Sequence, residues 1–337
     1  MSDFRPTHPE LRARIDARLF EVLARRREHV PEAAPLVAEI ERVVGAGGKR
    51  LRPAFCYWGH RCAGGRDGPE IVDAAASLEL LHTFAIVHDD IMDAAHERRG
   101  VPTVNAVSGV NVALLVGDLA LVLADDLFMH CGFAPQVVAD GFDCYSRMRQ
   151  EVIAGQFLDL VVSERAEVSE DETRRIAVLK SGRYSVEEPL FIGAALAGAG
   201  DDLLEPLARF AAPLGEAFQM RDDLLGTFGS AAATGKPVDS DIRQGKRNIL
   251  YAKTLHGLRE SDRTFFAGRW GDGEHLSAED VERLRELIES SGARAATESL
   301  LDELQGQVEA ALDELPVDAD CRAALDELGR VAIERES

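Results

Sequence analysis

Two aspartate-rich segments carry the residue types best suited to metal chemistry, HDDIMDAAHERRG around Asp89 and QMRDDLLGTFG around Asp222. Each follows an apolar stretch with helical spacing. On a helix Asp89 and Asp93 lie side by side, and such like charges repel unless a cation lies between them. Mg²⁺ is bound in this way, by one or two carboxylates together with substrate phosphates. The pairing predicts a metal cluster that holds a diphosphate, with an exposed acidic helix end as the alternative.

Basic residues form clusters that suit phosphate binding, as the acidic boxes suit metal binding. The segment GAGGKRLRP places Lys49, Arg50 and Arg52 after a glycine-rich turn and before a helix expected to start at Pro53. Backbone amides, a helix N-terminus and several cations suit an anion, although a basic helix cap is the simpler interpretation. Arg98 and Arg99 follow the first acidic box. Acidic and basic clusters together indicate two diphosphate sites, one with metal and one without.

The second half repeats this pattern, because lysines flank the Asp222-Asp223 pair. They are Lys180 in KSGRYS, Lys236 in TGKP and Lys246 in DIRQGKRN. Each lysine alone is more often a surface residue, and the ordered set is what favours substrate binding. The further acidic pairs at 125–126 and 201–202 have no basic partners nearby in the sequence, so they are interpreted as solvated or capping residues.

Composition limits the possible functions. The 337 residues contain no linker and are treated as a single domain spanning 1–337, and the net charge of −21 argues against a nucleic-acid-binding protein. Five cysteines in irregular spacing without a CxxC motif predict reduced thiols and a cytoplasmic location. The most apolar stretch, 112–128, is interrupted by Asp118 and Asp125 and is too short for a membrane span.

Nearly all periodic segments have helical spacing, which predicts an all-α helical bundle. The predicted helices are 9–27, 34–44, 53–62, 69–93, 107–128, 136–162, 171–179, 184–199, 203–228, 246–258, 278–290 and 293–315.

The motifs in order resemble the trans-type isoprenyl diphosphate synthases, also called polyprenyl synthetases, and in particular geranylgeranyl diphosphate synthases. The resemblance covers roughly residues 36–260. It rests on GGKRLRP, HDDIMD followed by RRGxPT, GQFLDL, KSGRYS, QMRDDLLGTFG and TGKPVDSDIRQGK. It implies an isoprenoid synthase-type helical bundle that encloses a deep central cavity, and a homodimer.

The resemblance also implies a reaction. Three Mg²⁺ ions hold an allylic diphosphate of five to fifteen carbons while it ionises, isopentenyl diphosphate attacks the resulting cation, and a proton is lost. The protein supplies charge, orients the substrates and excludes water, and it provides no covalent nucleophile. A class I terpene cyclase and a non-catalytic subunit are the alternatives from other classes.

Site residues follow from the resemblance, position by position. Asp89, Asp93 and Asp222 would bind Mg²⁺, supported by Asp90 and Asp223; Arg98, Lys180 and Lys236 would hold the allylic diphosphate; Lys49, Arg52, His82 and Arg99 would hold isopentenyl diphosphate; Gln156, Asp159, Gln219 and Lys246 would line or brace the cavity.

The second box departs from the usual DDxxD pattern, because Gly226 replaces the third aspartate and Ser230 replaces an acid often found after FG. We expect weaker metal binding without loss of activity.

Product length is expected to depend on Phe84, five residues before Asp89 and about 7 to 8 Å deeper along the helix. Ala85 follows it, and Leu81 and Ser77 would line the next layers. In the family, a single aromatic residue at this position is typical of geranylgeranyl synthases. Farnesyl and longer polyprenyl products are the alternatives, as is a purely structural role for Phe84.

Overall fold

The computed structural model describes residues 6–229 and 239–333, and helices dominate them. The α-helices in chain order are α1 (His8–His29), α2 (Ala34–Gly45), α3 (Leu51–Cys62), α4 (Pro69–Met92), α5 (Val104–Ser108), α6 (Val110–Met129), α7 (Pro135–Ser163), α8 (Glu170–Ala177), α9 (Glu188–Leu196), α10 (Asp201–Phe228), α11 (Ser240–Gln244), α12 (Ile249–Gly257), α13 (Glu260–Arg269), α14 (Ala278–Ser290), α15 (Ala293–Glu314) and α16 (Ala319–Ile333). Short 3₁₀ helices occupy Pro31–Ala33 and Gly273–His275, and a π-helix occupies Val178–Glu187. The all-α prediction is confirmed.

A small hairpin interrupts the helices where the RRG motif lies. Strand β1 (Glu97–Arg98) pairs antiparallel with β2 (Val101–Pro102). The two loop residues, Arg99 and Gly100, both have positive φ, at 54° and 75°. This is the conformation of a two-residue hairpin turn whose twist matches the strands.

The described residues fall into two compact units. The first comprises those within 1–146, 188–207 and 315–331, and the second those within 147–187, 208–314 and 332–333. Each unit has its own core, and the predicted site residues are divided between the two.

In the first unit, α4 packs along α6 and α3 packs along α9. Close backbone contact holds the second pair together. A β-carbon on Gly59 would lie 2.2 Å from the Leu190 carbonyl oxygen, and one on Gly193 would lie 1.8 Å from the Cys56 carbonyl oxygen. Only glycine allows two helices to approach this closely.

Helix α4 is long and apolar enough to cross a membrane by composition alone, with a mean hydropathy of 1.3 in its most apolar window. However, 72% of that window is buried inside the protein. The core helix of a folded domain passes the same test.

The second unit contains the π-helix, which sequence periodicity did not predict. A β-carbon on Gly215 of α10 would lie 2.6 Å from Gly182 Cα, so the π-helix and α10 touch through two glycines. Further along, Tyr251, Phe266 and Trp270 form an aromatic cluster, with ring centroids of the last two 5.1 Å apart.

Several predicted boundaries were wrong. Helix α3 begins at Leu51 rather than at Pro53, and the predicted helix 107–128 is divided at Gly109, whose φ is 81°. Helices α13 and α16 were not predicted, and the KSGRYS motif lies within the π-helix rather than between two α-helices.

Gly193→Ala should lower the free energy of unfolding by at least about 1 to 3 kcal/mol, because the added methyl group overlaps the Cys56 carbonyl. Gly306→Ala, on α15, is the matched control: a β-carbon there meets nothing within 4 Å. It should stabilise the fold by about 0.5 to 1 kcal/mol. Urea denaturation of both variants measures the difference, and equal effects would contradict the helix contact described above.

Candidate functional site

The first acidic box lies at the C-terminal end of α4. Asp90 is the buried member, with 5% of its surface exposed, whereas Asp89 and Asp93 are partly exposed. Arg98 lies against the pair: its Nε is 2.7 Å from Asp90 Oδ1 and its terminal nitrogen is 3.1 Å from Asp89 Oδ2. Burial raises the pKa of Asp90, while the charge of Arg98 acts in the opposite direction.

Hydrogen bonds fix the segment that follows the box. Thr103 Oγ1 and Asn105 Nδ2 both donate to the Ala95 carbonyl, at 2.7 and 2.9 Å. The Ala95 amide in turn donates to the Asp90 carbonyl at 2.9 Å. The RRGxPT motif is therefore attached to the backbone of the box, which explains how Arg98 is aimed at the carboxylates.

The glycine-rich turn of the GAGGKRLRP motif receives the next arginine of the hairpin. Arg99 donates to the Gly47 carbonyl. Gly48 has a φ of +134°, and a β-carbon there would lie 2.9 Å from a guanidinium nitrogen of Arg99. Two motifs fifty residues apart in sequence thus meet through a turn that needs glycine.

Arg50 does not join an anion site as the sequence predicted. Its guanidinium is 2.7 Å from Glu79 Oε1 and 2.7 Å from Asp16 Oδ1, and it also donates to the Val44 carbonyl at 2.7 Å. Only 4% of its surface is exposed. A buried arginine of this kind serves folding, because its charge is offset inside the core.

His82 lies among the other basic residues of the first unit. Its enclosed position, with the charges of Arg52 and Arg99, holds the pKa of its imidazole well below the usual value. His82 is therefore neutral at physiological pH. Lys49, the remaining predicted member, donates to the Val331 carbonyl near the end of α16.

The second unit places Lys180 beside a carboxylate. Lys180 Nζ is 2.6 Å from Asp159 Oδ2, and both side chains are about one quarter exposed. The approach depends on Gly155, since a β-carbon there would lie 2.7 Å from the Lys180 amide nitrogen. Gln156, adjacent to this glycine, is also partly exposed.

A short chain of hydrogen bonds connects the π-helix to the second acidic box. Ser181 donates to Gln219, whose amide nitrogen donates to Asp223 Oδ1 at 2.7 Å. Burial, followed by the charge of Asp241, raises the pKa of Asp223 well above its usual value. Asp222 itself is partly exposed.

Asp241 is the site residue that sequence reasoning missed. A β-carbon on Gly226 would lie 2.4 Å from its carboxylate carbon, so this carboxylate occupies the space that a side chain at position 226 would need. Asp241 is 5% exposed, and its carbonyl accepts a hydrogen bond of 3.0 Å from the Lys246 amide. The departure at Gly226 was the available signal, but the sequence does not show which distant residue fills the space.

Other predicted residues fall outside these clusters. Lys236 and Ser230 lie outside the described residues. Along α4, Leu81 and Ser77 are buried, with 1% and 0% exposure, whereas Phe84 and Ala85 are partly exposed.

The carboxylates fit Mg²⁺ as oxygen ligands. Within 6–229 and 239–333, no group of three His, Cys, Asp or Glu side chains is arranged to hold a metal by itself.

Comparison with known proteins agrees with this geometry. The polyprenyl synthetase family model matches residues 34–288. A geranylgeranyl diphosphate synthase of Sulfolobus acidocaldarius is 38% identical over 225 residues, which are 65% of this chain and 66% of that protein. A geranylfarnesyl diphosphate synthase of Aeropyrum pernix is 33% identical over 300 residues, 87% of this chain and 92% of that protein.

A solved structure gives the same result for the fold. The geranylgeranyl pyrophosphate synthase of Corynebacterium glutamicum, crystallised with isoprenyl diphosphate and magnesium, is 32% identical and superposes with a TM-score of 0.91. The match covers 96% of this chain and 98% of that one. The predicted isoprenoid synthase-type fold is confirmed.

We expect His82 to make folding sensitive to acid. The pKa of His82 is lowered in the folded state. As the pH falls through the ordinary histidine value of about 6.5, the unfolded chain therefore takes up a proton that the folded chain does not. The free energy of unfolding decreases below that pH. His82→Asn should remove this loss, which cannot exceed about 1.4 kcal/mol per pH unit. Melting temperatures of metal-free protein between about pH 7.5 and pH 5.5 measure it.

The control is His130→Asn, because the His130 side chain is 76% exposed. It should keep the acid sensitivity of the unmodified chain. The same slope in His82→Asn would mean that the His82 imidazole takes up its proton normally.

Proposed function

The chain belongs to the polyprenyl synthetase family and is a trans-prenyltransferase, and we propose that it condenses isopentenyl diphosphate with an allylic diphosphate to give mainly geranylgeranyl diphosphate. One observation carries the choice of product: Phe84, followed by the small Ala85, is partly exposed on α4 one to two turns before Asp89. A lone aromatic residue at this depth leaves room for a C20 chain and closes off longer ones.

The reaction we propose breaks the allylic carbon–oxygen bond, forms a carbon–carbon bond to isopentenyl diphosphate and releases a proton. Bound Mg²⁺, three ions in our proposal, supplies positive charge for the departing pyrophosphate. Asp89, Asp93 and Asp222 are the proposed ligands. Asp90 and Asp223 are more buried than the adjacent Asp89 and Asp222, and in this proposal they help to orient those ligands.

Arg98 has a positioning role in this proposal. Its contacts with Asp89 and Asp90 set the direction of both carboxylates before substrate arrives. An arginine is suited to this because its planar fork donates to two oxygens at once. Arg98 also brings positive charge to the allylic diphosphate, with Lys180 and Lys236.

Isopentenyl diphosphate is assigned to the metal-free cluster of Lys49, Arg52, His82 and Arg99. The contact of Arg99 with the glycine-rich turn supports this assignment, because it joins two basic segments into one anion-binding surface. Neutral His82 can donate a hydrogen bond from the middle of the cluster without adding to the repulsion among the arginines.

In the second acidic box, we propose that Asp241 provides the carboxylate that Gly226 lacks. Its position over Gly226 and beside Asp223 supports this role. Gln156, Asp159, Gln219 and Lys246 brace the same part of the site, with Asp159 holding Lys180 at 2.6 Å. We also propose that residues 1–337 act as one catalytic domain.

We also propose a homodimer. Exposed apolar side chains recur every seven residues on α6 at Leu115, Val122 and Met129, with exposures of 54, 61 and 49%. Such a stripe is more typical of a helix that meets a partner than of one that faces water. A cytoplasmic location remains the prediction made from the cysteines.

Product analysis tests the proposal directly. The protein is incubated with Mg²⁺, isopentenyl diphosphate and one allylic diphosphate at a time, and the hydrolysed products are identified by mass spectrometry. We expect C20 as the principal product. A C15 or C25 product would change the proposed chain length but not the proposed reaction. The similarity to a geranylfarnesyl diphosphate synthase makes C25 the alternative to test first. A hydrocarbon would indicate a cyclase, and no turnover a non-catalytic subunit.

Replacement of Asp89 or Asp222 by alanine should lower turnover by about 10²- to 10³-fold or more, since each variant loses a contact to the charge that develops on the leaving group. Asp201→Ala is the matched control, because Asp201 belongs to an exposed acidic pair at the start of α10. It should retain normal turnover. Steady-state rates at saturating Mg²⁺ compare the three, and near-normal turnover of Asp89→Ala would remove the assignment of the first box.

A further inference from the structure

Phe84, on which the proposed product length rests, belongs to a contact between α4 and α6 whose other two residues have no role in the proposed function. The three residues are Phe84 and His88 on α4 and Gly117 on α6. Phe84 and His88 are one helical turn apart, so their side chains project from the same face. His88 also directly precedes the first acidic box.

The His88 ring is held by the backbone of α6. Its Nε2 lies 3.3 Å from the Leu114 carbonyl oxygen and 3.7 Å from Asp118 Oδ1. The Leu114 carbonyl can only accept a hydrogen bond, so Nε2 is the donor in that contact. The ring therefore has a defined orientation as well as a defined position.

Gly117 provides the space in which this ring lies. A β-carbon there would be 2.3 Å from two atoms of the His88 ring. Glycine inside a helix is unfavourable compared with alanine, so its presence at this point is explained by the close approach of the imidazole. No other residue at 117 would leave the ring where it is.

The Phe84 ring packs against the His88 ring. The Phe84 and His88 ring centroids are 4.8 Å apart, with an interplanar angle of 63°. This edge-to-face arrangement is a favourable aromatic contact. Any rotation of the Phe84 side chain to another rotamer would lose it.

We propose that His88, seated over Gly117, is a positioning residue that fixes the Phe84 ring and thereby determines where the growing isoprenyl chain stops. The inference rests on the proposed function, in which Phe84 limits product length. It adds that the limit depends on two further residues, His88 on α4 and Gly117 on the neighbouring α6.

The test is the product distribution of His88→Ala, Gly117→Ala and Phe84→Ala. His88→Ala removes the ring edge and Gly117→Ala displaces it, so Phe84 can turn aside in both. We expect the ratio of longer products to the principal product to rise about 2- to 10-fold, the range that corresponds to the loss of one aromatic pair contact. Phe84→Ala should give a larger shift. A purely structural role for His88 would lower turnover without changing product length.

The double variant Phe84→Ala/His88→Ala shows whether His88 acts through Phe84. We expect the same distribution as in Phe84→Ala alone, because the ring that His88 positions is already absent. His130→Ala and Gly306→Ala are the matched controls, being an exposed histidine and a helical glycine with an open surrounding. Both should give the unmodified distribution. If His88→Ala does not fold, His88→Gln, which keeps a donor but has no ring, carries the same test.

The outcomes separate this inference from the proposed function. Product lengths that change in Phe84→Ala but not in His88→Ala or Gly117→Ala would overturn the positioning role alone, as would a full additional shift in the double variant. Unchanged lengths in Phe84→Ala would remove the stop at Phe84, and the role of His88 with it.

Discussion

Repulsion between like charges is the constraint on which the rest of this structure depends. Asp89, Asp90 and Asp93 are crowded at the end of one helix, and a group of arginines surrounds one histidine nearby in the same unit. Neither group is stable unless something of opposite charge is present or one member is neutral. The chain uses both solutions: Arg98 lies against two of the carboxylates, and His82 stays uncharged. Substrate and metal would supply the remaining charge.

Glycines determine which charged groups can approach each other in the proposed site. Gly48 admits Arg99, Gly155 admits Lys180, and Gly226 admits Asp241. In each case a β-carbon would occupy the space of a group in the proposed site. Glycine weakens a helix, so Gly155 and Gly226, which lie in α7 and α10, exchange local stability for the approach of charged groups that the proposed reaction requires. The contact of Gly117 with His88 extends the same principle to product length.

Sequence periodicity predicted most helices because their apolar faces are continuous, and the motifs located both acidic boxes. What it missed depends on distant partners. Arg50 and Arg52 share one motif, yet only the structure shows that Arg50 pairs with Glu79 and Asp16 in the core. The filling of the Gly226 gap by Asp241 is likewise set by tertiary packing. The π-helix around Lys180 arises where glycines of neighbouring helices touch, which no local pattern encodes.

Calorimetric titration tests most directly whether one diphosphate site needs metal and the other does not. The two ligands are isopentenyl diphosphate and an unreactive thiolodiphosphate analogue of the allylic substrate, each titrated with Mg²⁺ and with EDTA. The account predicts that isopentenyl diphosphate retains its affinity without metal, because arginine and lysine bind it. The allylic analogue should lose at least about tenfold, the effect of one charge-assisted contact. Loss of both affinities on metal removal, or of neither, would contradict two chemically distinct sites.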